Sequence, residues 1–290
     1  MSDRDRTSKL GDMLEAFVAL DRRWIFSAVG ILAIVFMLMD FSLPIEPSPQ
    51  ARGMHAAINA VQPGDVVHLS IDYGPSSEAE LWPQHLCILR DLMRRGARVV
   101  CSSLWTDGPP MVERGFEVVT AELAAEGITR QRGVDYVNLG YKAGDRVAIA
   151  SIGASFKRTF PSDNTGRPST ELPIMQGWDT YNDVKLLITI GVGDPGAVEY
   201  VQQAQSRYRV PMAAGVTAVI SPQLYPYFQA GNLTGFLGGL AGAAEYEKLA
   251  GTPGRATKGM NVQSAVHVLI VLLVLLGNAA QLALRWVGRR

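Results

Sequence analysis

Two long apolar runs, one near each end of the chain, most strongly constrain how this protein can fold. A helix needs about 20 predominantly apolar residues to cross the hydrocarbon of a bilayer. Residues 24–39 (WIFSAVGILAIVFMLM) carry no charge and reach this length when the run continues to residue 45, and residues 265–284 (AVHVLIVLLVLLGNAAQLAL) reach it directly. We therefore predict transmembrane helices over residues 24–45 and 264–285, on either side of a soluble domain of residues 46–263.

The first run also has features of a secretory signal peptide, because its uncharged core is short and basic residues precede it. However, the residues that follow Asp40, FSLPIEPSPQ, offer no pair of small residues at which a signal peptidase would cut. We therefore favour an uncleaved anchor.

Basic residues lie on the outer sides of the two runs, whereas only Arg52 stands shortly after the first one. Segments on the cytoplasmic side of membrane helices are enriched in Lys and Arg. We therefore expect both termini in the cytoplasm, including a basic tail of residues 286–290, and the central domain on the other side. The flanking residues are Arg4, Arg6, Lys9, Arg22, Arg23, Arg285, Arg289 and Arg290, and the bias is opposed by Lys248, Arg255 and Lys258.

Residues 1–23 contain an amphipathic pattern. Their apolar residues are spaced as on one face of a helix. This helix would lie on the inner membrane face or pack against a partner protein, and the sequence does not separate the two. The apolar positions are Leu10, Met13, Leu14, Phe17 and Val18.

Polar side chains interrupt the second apolar run. His267, Asn278 and Gln281 fall within about 60° of one another around a helix. With both termini on one side, Asp40 and His267 would lie at similar depths, which predicts a contact between them. The alternative, which we favour, places Asp40 and His267 in the headgroup layer and gives Asn278 and Gln281 interhelical hydrogen bonds.

The central domain alternates apolar strands with helices. This pattern is typical of a largely parallel sheet covered on both faces. We predict an α/β fold, a Rossmann-like three-layer sandwich. The predicted strands are DVVHLSIDYG, ARVVCSSLW, VDYVNLG, RVAIASIG, VKLLITIGVG and VPMAAGVTAV, and the predicted helices include residues 77–95 and one that ends on Gly127. Residues 160–182 lack periodicity, which predicts a surface loop or flap, or a crossover connection.

Several polar residues follow the predicted strands, at the edge where open α/β sheets collect ligands. They are Asp72, Ser103, Asp107, Asn138 and Asp194, and Lys142 could add a positive charge. Three carboxylates could bind a cation or perform acid–base chemistry. We favour turn and capping roles for them, and we predict no metal and no cofactor.

Gly191, Gly193 and Gly196 match the dinucleotide-binding pattern G-x-G-x-x-G after a strand. Asp194 would place a carboxylate where a pyrophosphate docks, and Pro195 removes a backbone N–H group. We therefore interpret the segment as a helix start, with Asp194 as N-cap and Pro195 at the first helical position.

The chain offers no recognisable nucleophilic site, because no G-x-S-x-G motif occurs and no His is placed beside the strand-end serines. Its two cysteines, Cys87 and Cys101, have no metal-ligand spacing. They are either bonded to each other or, as we favour, two buried apolar residues.

Gly231, Gly235 and Gly239 recur at intervals of four before the second run. Rows of small residues let backbones approach closely. The row predicts a helix face that either packs closely on the domain's own sheet or forms a contact between subunits.

Four segments resemble an uncharacterised bacterial membrane-protein family that has two membrane helices around one α/β domain. They are Asp135 to Lys142 (DYVNLGYK), Gly193 to Gly196 (GDPG), Tyr225 to Tyr227 (YPY) and Gly242 to Tyr246 (GAAEY). The resemblance extends over nearly the whole chain. It implies the bacterial inner membrane and the same architecture, but it carries no activity, cofactor or catalytic residue.

Charge restricts the partners, because 27 basic and 27 acidic residues leave no net field to attract nucleic acid. The expected partners are the lipid bilayer and further copies of the chain or other membrane proteins. We predict a non-enzymatic scaffold or partner-binding component. The alternative is a membrane-tethered enzyme or small-ligand sensor that uses the strand-end carboxylates Asp72, Asp107 and Asp194.

Overall fold

The computed structural model describes residues 13–16, 18–39 and 44–287. The chain forms two compact units. One is Pro44–Thr257, and the other combines the described residues before 40 with those from Lys258 onward.

The Pro44–Thr257 unit is built on a six-stranded parallel sheet with the order β3-β2-β1-β4-β5-β6. The chain runs outward from β1 to β3, crosses back to β4, and then runs outward to β6 on the other side. The strand order therefore reverses between β1 and β4. The strands are β1 (Val66–Asp72), β2 (Arg98–Ser103), β3 (Tyr136–Tyr141), β4 (Leu186–Gly191), β5 (Met212–Val216) and β6 (Gly235–Gly238).

Helices cover both faces of this sheet, as the alternation of strands and helices predicts. One face packs on α2 (Pro49–Asn59), α3 (Glu78–Arg94), α4 (Gly108–Ala125) and α10 (Gly239–Leu249). The other packs on α5 (Asp145–Ala154), α6 (Phe156–Thr159), α9 (Ser221–Gln229) and a continuous helical stretch after β4. That stretch comprises α7 (Ala197–Tyr200), a π-helical turn (Val201–Gln205) and α8 (Ser206–Tyr208). The three-layer, Rossmann-like α/β architecture is confirmed.

The prediction of a strand in RVAIASIG is wrong, because residues 146–153 lie in helix α5. Ala148, Ile149 and Ile152 are buried on one side of this helix, whereas Val147 and Ser151 are exposed. A short apolar run of this kind suits a strand and a buried helix equally well by periodicity. Packing of its apolar side against the sheet selects the helix.

Residues 160–182 are irregular, as predicted, and they complete the crossover from β3 to β4. They form short 3₁₀ turns, Ser169–Glu171, Pro173–Met175 and the start of Tyr181–Asp183. The segment is not a loose flap. Its side chains Leu172, Ile174, Met175, Trp178 and Tyr181 are buried in the core of the second face.

The row of glycines does not lie on one helix. Gly231 is in a turn with a positive φ of 75°, Gly235 begins β6, and Gly239 begins α10. A Cβ atom on Gly235 would lie 2.0 Å from the backbone nitrogen of Met54. A Cβ atom on Gly53 would lie 2.1 Å from the backbone oxygen of Thr234, the residue before β6. Helix α2 therefore contacts the edge strand backbone to backbone, which accounts for Gly235 by close packing within the domain.

The second unit contains α1 (Arg22–Leu38) and most of α11 (Arg255–Val287). In the described part of the chain, one helix, Arg255–Trp286, is long and apolar enough to cross a membrane, with a mean hydropathy of 2.2 in its most apolar window. Helix α1 has 17 residues. Most of the predicted amphipathic segment and the end of the first predicted span, residues 40–43, lie outside the described residues.

Replacing Gly235 by Ala tests the contact between α2 and β6. We expect Gly235→Ala to lower the free energy of unfolding of the full chain in detergent by about 3 kcal/mol, because overpacking against a backbone cannot be relieved by a rotamer change. Gly193→Ala is the matched control, since a Cβ atom there meets nothing within 4 Å. Equal stability of the two variants in urea unfolding would contradict the contact.

Candidate functional site

Strand β1 brings three polar side chains into the centre of the molecule. Residues in a strand alternate between its faces, so His68, Ser70 and Asp72 share one face, while Leu69 and Ile71 enter the core on the other. The three polar side chains are fully buried. Each of them therefore needs a hydrogen-bond partner from the elements packed on that face.

His68 lies between two hydroxyl groups. Its Nε2 is 2.8 Å from Oγ of Ser102 on β2, and its Nδ1 is 3.1 Å from the hydroxyl of Tyr181 on the crossover. Burial lowers the pKa of His68 to about 3, so the imidazole is neutral at physiological pH. A neutral ring has one donor and one acceptor, and hydroxyl groups can complement both.

Asp72 forms the second half of the network, at the carboxyl end of β1. Its Oδ1 accepts a hydrogen bond from the backbone N–H of Leu104 (2.6 Å), and its Oδ2 accepts one from Oγ of Ser70 (2.7 Å). The hydroxyls of Ser103 and Thr189 are each 3.4 Å from the carboxylate. The carboxylate thus joins β1 to residues of β2 and β4.

A tyrosine from the helical stretch after β4 closes the network. The Tyr200 hydroxyl donates to Oγ of Ser70 at 2.7 Å, and Ser70 in turn donates to Asp72. Tyr200 is fully buried and immediately precedes the π-helical turn Val201–Gln205. The buried polar network therefore consists of two parts, Tyr181–His68–Ser102 and Tyr200–Ser70–Asp72.

Burial raises the pKa of Asp72 from 3.8 to about 6, although hydrogen bonds from Leu104, Ser70, Ser103 and Thr189 oppose the shift. The cost of removing a carboxylate from water is therefore larger than the gain from its four donors. Asp72 lies directly opposite Gly191 in the pairing of β1 with β4, at the point where the strand order reverses. Ligands of open α/β sheets bind just outside this point.

The loops above this point are bridged by a side chain of the protein. Nε1 of Trp105, in the loop after β2, donates to the carbonyl oxygen of Pro195 in the loop after β4, at 3.3 Å. The backbone N–H of Gly196 donates to Oε2 of Glu199 at 3.0 Å. In a dinucleotide-binding fold such N–H groups face a phosphate. Here the chain's own carboxylate accepts this hydrogen bond.

The glycine-rich segment does not start the helix where the sequence pattern predicts. Helix α7 begins at Ala197 with Gly196 as N-cap, so Asp194 and Pro195 both precede the helix. The Asp194–Pro195 peptide bond is cis. The assignment of Asp194 as N-cap is therefore wrong, because the loop takes two more residues before the first helical turn.

The predicted strand-end residues separate into different environments. Asp72 and Ser103 are close together in the buried network. Asn138 is also buried, but it donates to Oε1 of Glu113 (2.8 Å) and accepts from the N–H of Gly140 (2.9 Å). Its amide therefore fixes the end of β3 to α4.

The three remaining strand-end residues lie outside this network. Lys142 donates from Nζ to the carbonyl oxygen of Thr159 at 3.0 Å. Asp107 and Asp194 are exposed, and Asp107 lies over Gly74, where a Cβ atom would be 2.6 Å from its Oδ2. Among the residues that the structure describes, no group of three or more His, Cys, Asp or Glu is arranged to hold a metal ion.

The two thiols and His85 are enclosed as well. Cys87 and Cys101 are free thiols and buried, and burial raises the pKa of each. Burial lowers the pKa of His85 to about 3. His85 contacts the hydroxyl of Tyr73 through Nδ1 at 3.1 Å. A thiol with a raised pKa is a poor nucleophile.

The predicted polar contacts of the second membrane helix fall in α11. His267, Asn278 and Gln281 are exposed there in the single chain. Asp40, the proposed partner of His267, lies outside the described residues. Their contact therefore stays a prediction.

Sequence reasoning missed His68, Ser70, Tyr181 and Tyr200. The prediction that no His lies beside the strand-end serines is wrong, because Nε2 of His68 is 2.8 Å from Oγ of Ser102. The signal for His68 and Ser70 was present, because polar residues at every second position of an otherwise apolar strand share one face. The two tyrosines had no such signal. They come from the irregular crossover and from the helix before a π-helical turn, and only the tertiary fold places them over β1.

No protein-family model matches the sequence, and a search of curated proteins gives no match.

The raised pKa of Asp72 predicts how the stability of the fold changes with pH. Because the folded-state pKa of about 6 lies above the unfolded value of 3.8, the protonated carboxyl favours the fold. This contribution is complete below the unfolded pKa and is lost as the pH rises through about 6. At pH values above both, the ionised Asp72 therefore costs about 3 kcal/mol of stability.

Asp72→Asn keeps the shape of the side chain and removes the charge. We expect the stability of this variant relative to the unmodified protein to increase by about 3 kcal/mol between acidic and alkaline pH, measured by urea unfolding of the full chain. Asp194→Asn is the control, because that carboxylate is exposed. Parallel pH profiles of Asp72→Asn and the unmodified protein would contradict a buried carboxylate whose desolvation outweighs its hydrogen bonds.

Proposed function

We propose that this chain is a two-pass protein of the bacterial inner membrane whose α/β domain is a non-enzymatic scaffold or partner-binding component. The observation that carries the proposal is the apolar surface of α1 and α11. Large apolar side chains are mostly exposed along both helices, for example Phe26 (71%) and Leu275 (60%). Exposed apolar surface of this extent is typical of a protein surface that contacts a membrane or a partner protein.

Both helices take part in the proposed anchoring. They share an apolar groove of about 390 Å³, lined in part by Leu32 and Phe36 of α1 and by Val268 and Leu272 of α11. Paired helices that are apolar on their outer surface suit a lipid environment. The basic residues on the outer sides of both runs support cytoplasmic termini and an α/β domain outside the cytoplasm.

The closed strand edge supports a non-enzymatic role. Catalytic groups need access to substrate, but Asp72 and His68 are buried, and Trp105 bridges the loops above them. The alternative, an enzyme that uses Asp72, Asp107 and Asp194 together, has less support, because Asp72 is enclosed while the other two are exposed.

Polar side chains on α11 support self-association. Asn278 and Gln281 form an exposed polar stripe in the apolar part of α11 that follows His267. Facing lipid, such groups have no hydrogen-bond partner, and in membrane proteins they normally face another helix. A second copy of the chain would cover the polar stripe of each α11 with that of its neighbour.

Pairs of lysines test the two anchors. We expect Leu272→Lys with Leu275→Lys to leave the protein in the membrane through α1, and Ile31→Lys with Ile34→Lys to leave it there through α11. The combination of all four should release it, because each lysine at the centre of a span costs about 3 kcal/mol. The measurement is the fraction retained in membranes after an alkaline wash.

The matched control is Val219→Lys with Tyr225→Lys, which places two lysines on exposed apolar side chains of the α/β unit. It should retain full membrane association. Release by one pair alone would show a single anchor, and retention of the fourfold variant would contradict anchoring by these helices.

Removing the polar stripe tests self-association. Asn278→Leu with Gln281→Leu should weaken the association of two differently tagged copies by about thirtyfold, because the interhelical hydrogen bonds of the two side chains contribute roughly 1 kcal/mol each. The measurement is co-purification of the second copy from detergent when the first copy is captured by its own tag. Leu282→Ile, an apolar exchange on the same helix, is the control. Unchanged co-purification, or none with the unmodified protein, would contradict the homo-oligomer.

A further inference from the structure

A cavity beside the carboxyl end of β3 is lined by two cations. It has a volume of about 300 Å³ and is lined by Lys142, Ser151, Ala154, Arg158 and Thr159. The loop after β3 supplies Lys142, helix α5 supplies Ser151 and Ala154, and α6 supplies the other two. It is separate from the buried network of Asp72 and His68.

Neither cation is neutralised within the described part of the chain, where no carboxylate lies within ion-pair distance of Lys142 or Arg158. Most other arginines of the domain do pair with acids, such as Arg90 with Glu122 at 2.7 Å. Two cations that line one cavity without a counter-charge attract an anion.

The helical turn that carries Arg158 is held in place by hydrogen bonds within the domain. Ser155 caps α6 by accepting from the N–H of Arg158 at 3.1 Å, and Asp179 accepts from both Oγ of Ser155 (2.7 Å) and the N–H of Lys157 (2.8 Å). Phe156, the first residue of α6, is fully buried in the core. The turn that carries Arg158 is therefore fixed before any ligand binds, which lowers the entropic cost of binding.

The donors that face the cavity suit a phosphate group. Lys142 uses one Nζ hydrogen for the carbonyl oxygen of Thr159 and has two more to donate. Arg158 is exposed, and in the described structure its guanidinium has no hydrogen-bond or ion-pair partner. A guanidinium fork binds phosphate oxygens in pairs, and an ammonium adds a point charge.

The hydroxyls of Ser151 and Thr159 already donate to backbone carbonyls, those of Val147 (2.8 Å) and Ser155 (2.8 Å). They can therefore accept hydrogen bonds from a ligand but offer no free donor. A volume of about 300 Å³ is at the lower end for small-molecule pockets and exceeds what a phosphate group fills. Hydroxyl groups on the organic part of a ligand could donate to the hydroxyl oxygens of Ser151 and Thr159.

We propose that this cavity binds a small soluble phosphate monoester, with Lys142 and Arg158 holding the phosphate and the hydroxyls of Ser151 and Thr159 facing the organic part. This site goes beyond the proposed membrane-scaffold role and does not depend on it. The α/β domain then senses or carries a phosphorylated small molecule.

Calorimetric titration of the full chain in a phosphate-free detergent tests the site with inorganic phosphate as the first probe. Saturable binding is expected, and Lys142→Gln and Arg158→Gln should each weaken it by about tenfold, the effect of losing one charge-assisted hydrogen bond. Loss of Lys142 could disturb α6, because its Nζ donates to the carbonyl oxygen of Thr159. Arg158→Gln changes an exposed side chain, so it tests the site without that effect. The control is Lys185→Gln, an exposed cation at the amino end of β4.

Glycerol phosphate is the second probe. Binding at least as tight as that of inorganic phosphate supports occupation of the whole cavity by a monoester, and weaker binding contradicts it. The site is overturned if the unmodified chain shows no saturable binding, or if Lys185→Gln weakens binding as much as Arg158→Gln, since the attraction would then be non-specific. The titration uses the full chain in detergent. Its outcome therefore does not depend on the result of the lysine test of membrane anchoring.

Discussion

The carboxylate of Asp72 is the constraint around which the α/β domain is organised. It is buried at the reversal of strand order, where it accepts hydrogen bonds from the backbone after β2 and from Ser70 on its own strand. A buried carboxylate without donors would be several kcal/mol less favourable than a hydrogen-bonded one. The hydroxyls of Thr189 and, through Ser70, of Tyr200 are therefore required near it. This requirement fixes β4 and the helix that follows it relative to β1.

The same network explains why this edge of the sheet differs from a ligand-binding crevice. In a dinucleotide-binding fold the strand reversal exposes backbone N–H groups to a phosphate. Here Leu104 donates its N–H to Asp72, Gly196 donates to Glu199, and Trp105 donates to Pro195. Polar groups that would otherwise bind a ligand are satisfied by the protein. Two cations without an ion-pair partner among the described residues, Lys142 and Arg158, lie further along the sheet, beside the end of β3.

The largely parallel sheet with helices on both faces could be predicted from the sequence, because apolar strands such as β4 alternate with helices. The helix α5 could not be separated from a strand, since its buried residues Ala148, Ile149 and Ile152 occupy a run too short for periodicity to decide. Among the strand-end residues, the sequence located the edge at which Asp72 and Ser103 meet. It could not show that Asp72 is enclosed, because the enclosing tyrosines come from distant, aperiodic segments.

The row of glycines is a second case in which the sequence pattern did not determine the local structure. The interval of four predicted a helix face, yet Gly235 is a strand residue whose missing side chain admits α2. Spacing alone cannot distinguish these cases, because both require close backbone approach. The apolar character of α1 and α11, in contrast, follows directly from composition, and their exposed side chains agree with it.

Residue-resolved hydrogen exchange of the Leu104 amide tests the closed network most directly. This N–H group donates to buried Asp72 at 2.6 Å, so it should exchange only when the whole domain unfolds, with the same opening free energy as the amides in the centre of β1. Exchange of the Leu104 amide at the rate of an open loop, while β1 stays protected, would show that the strand edge opens in the folded protein and would contradict the account.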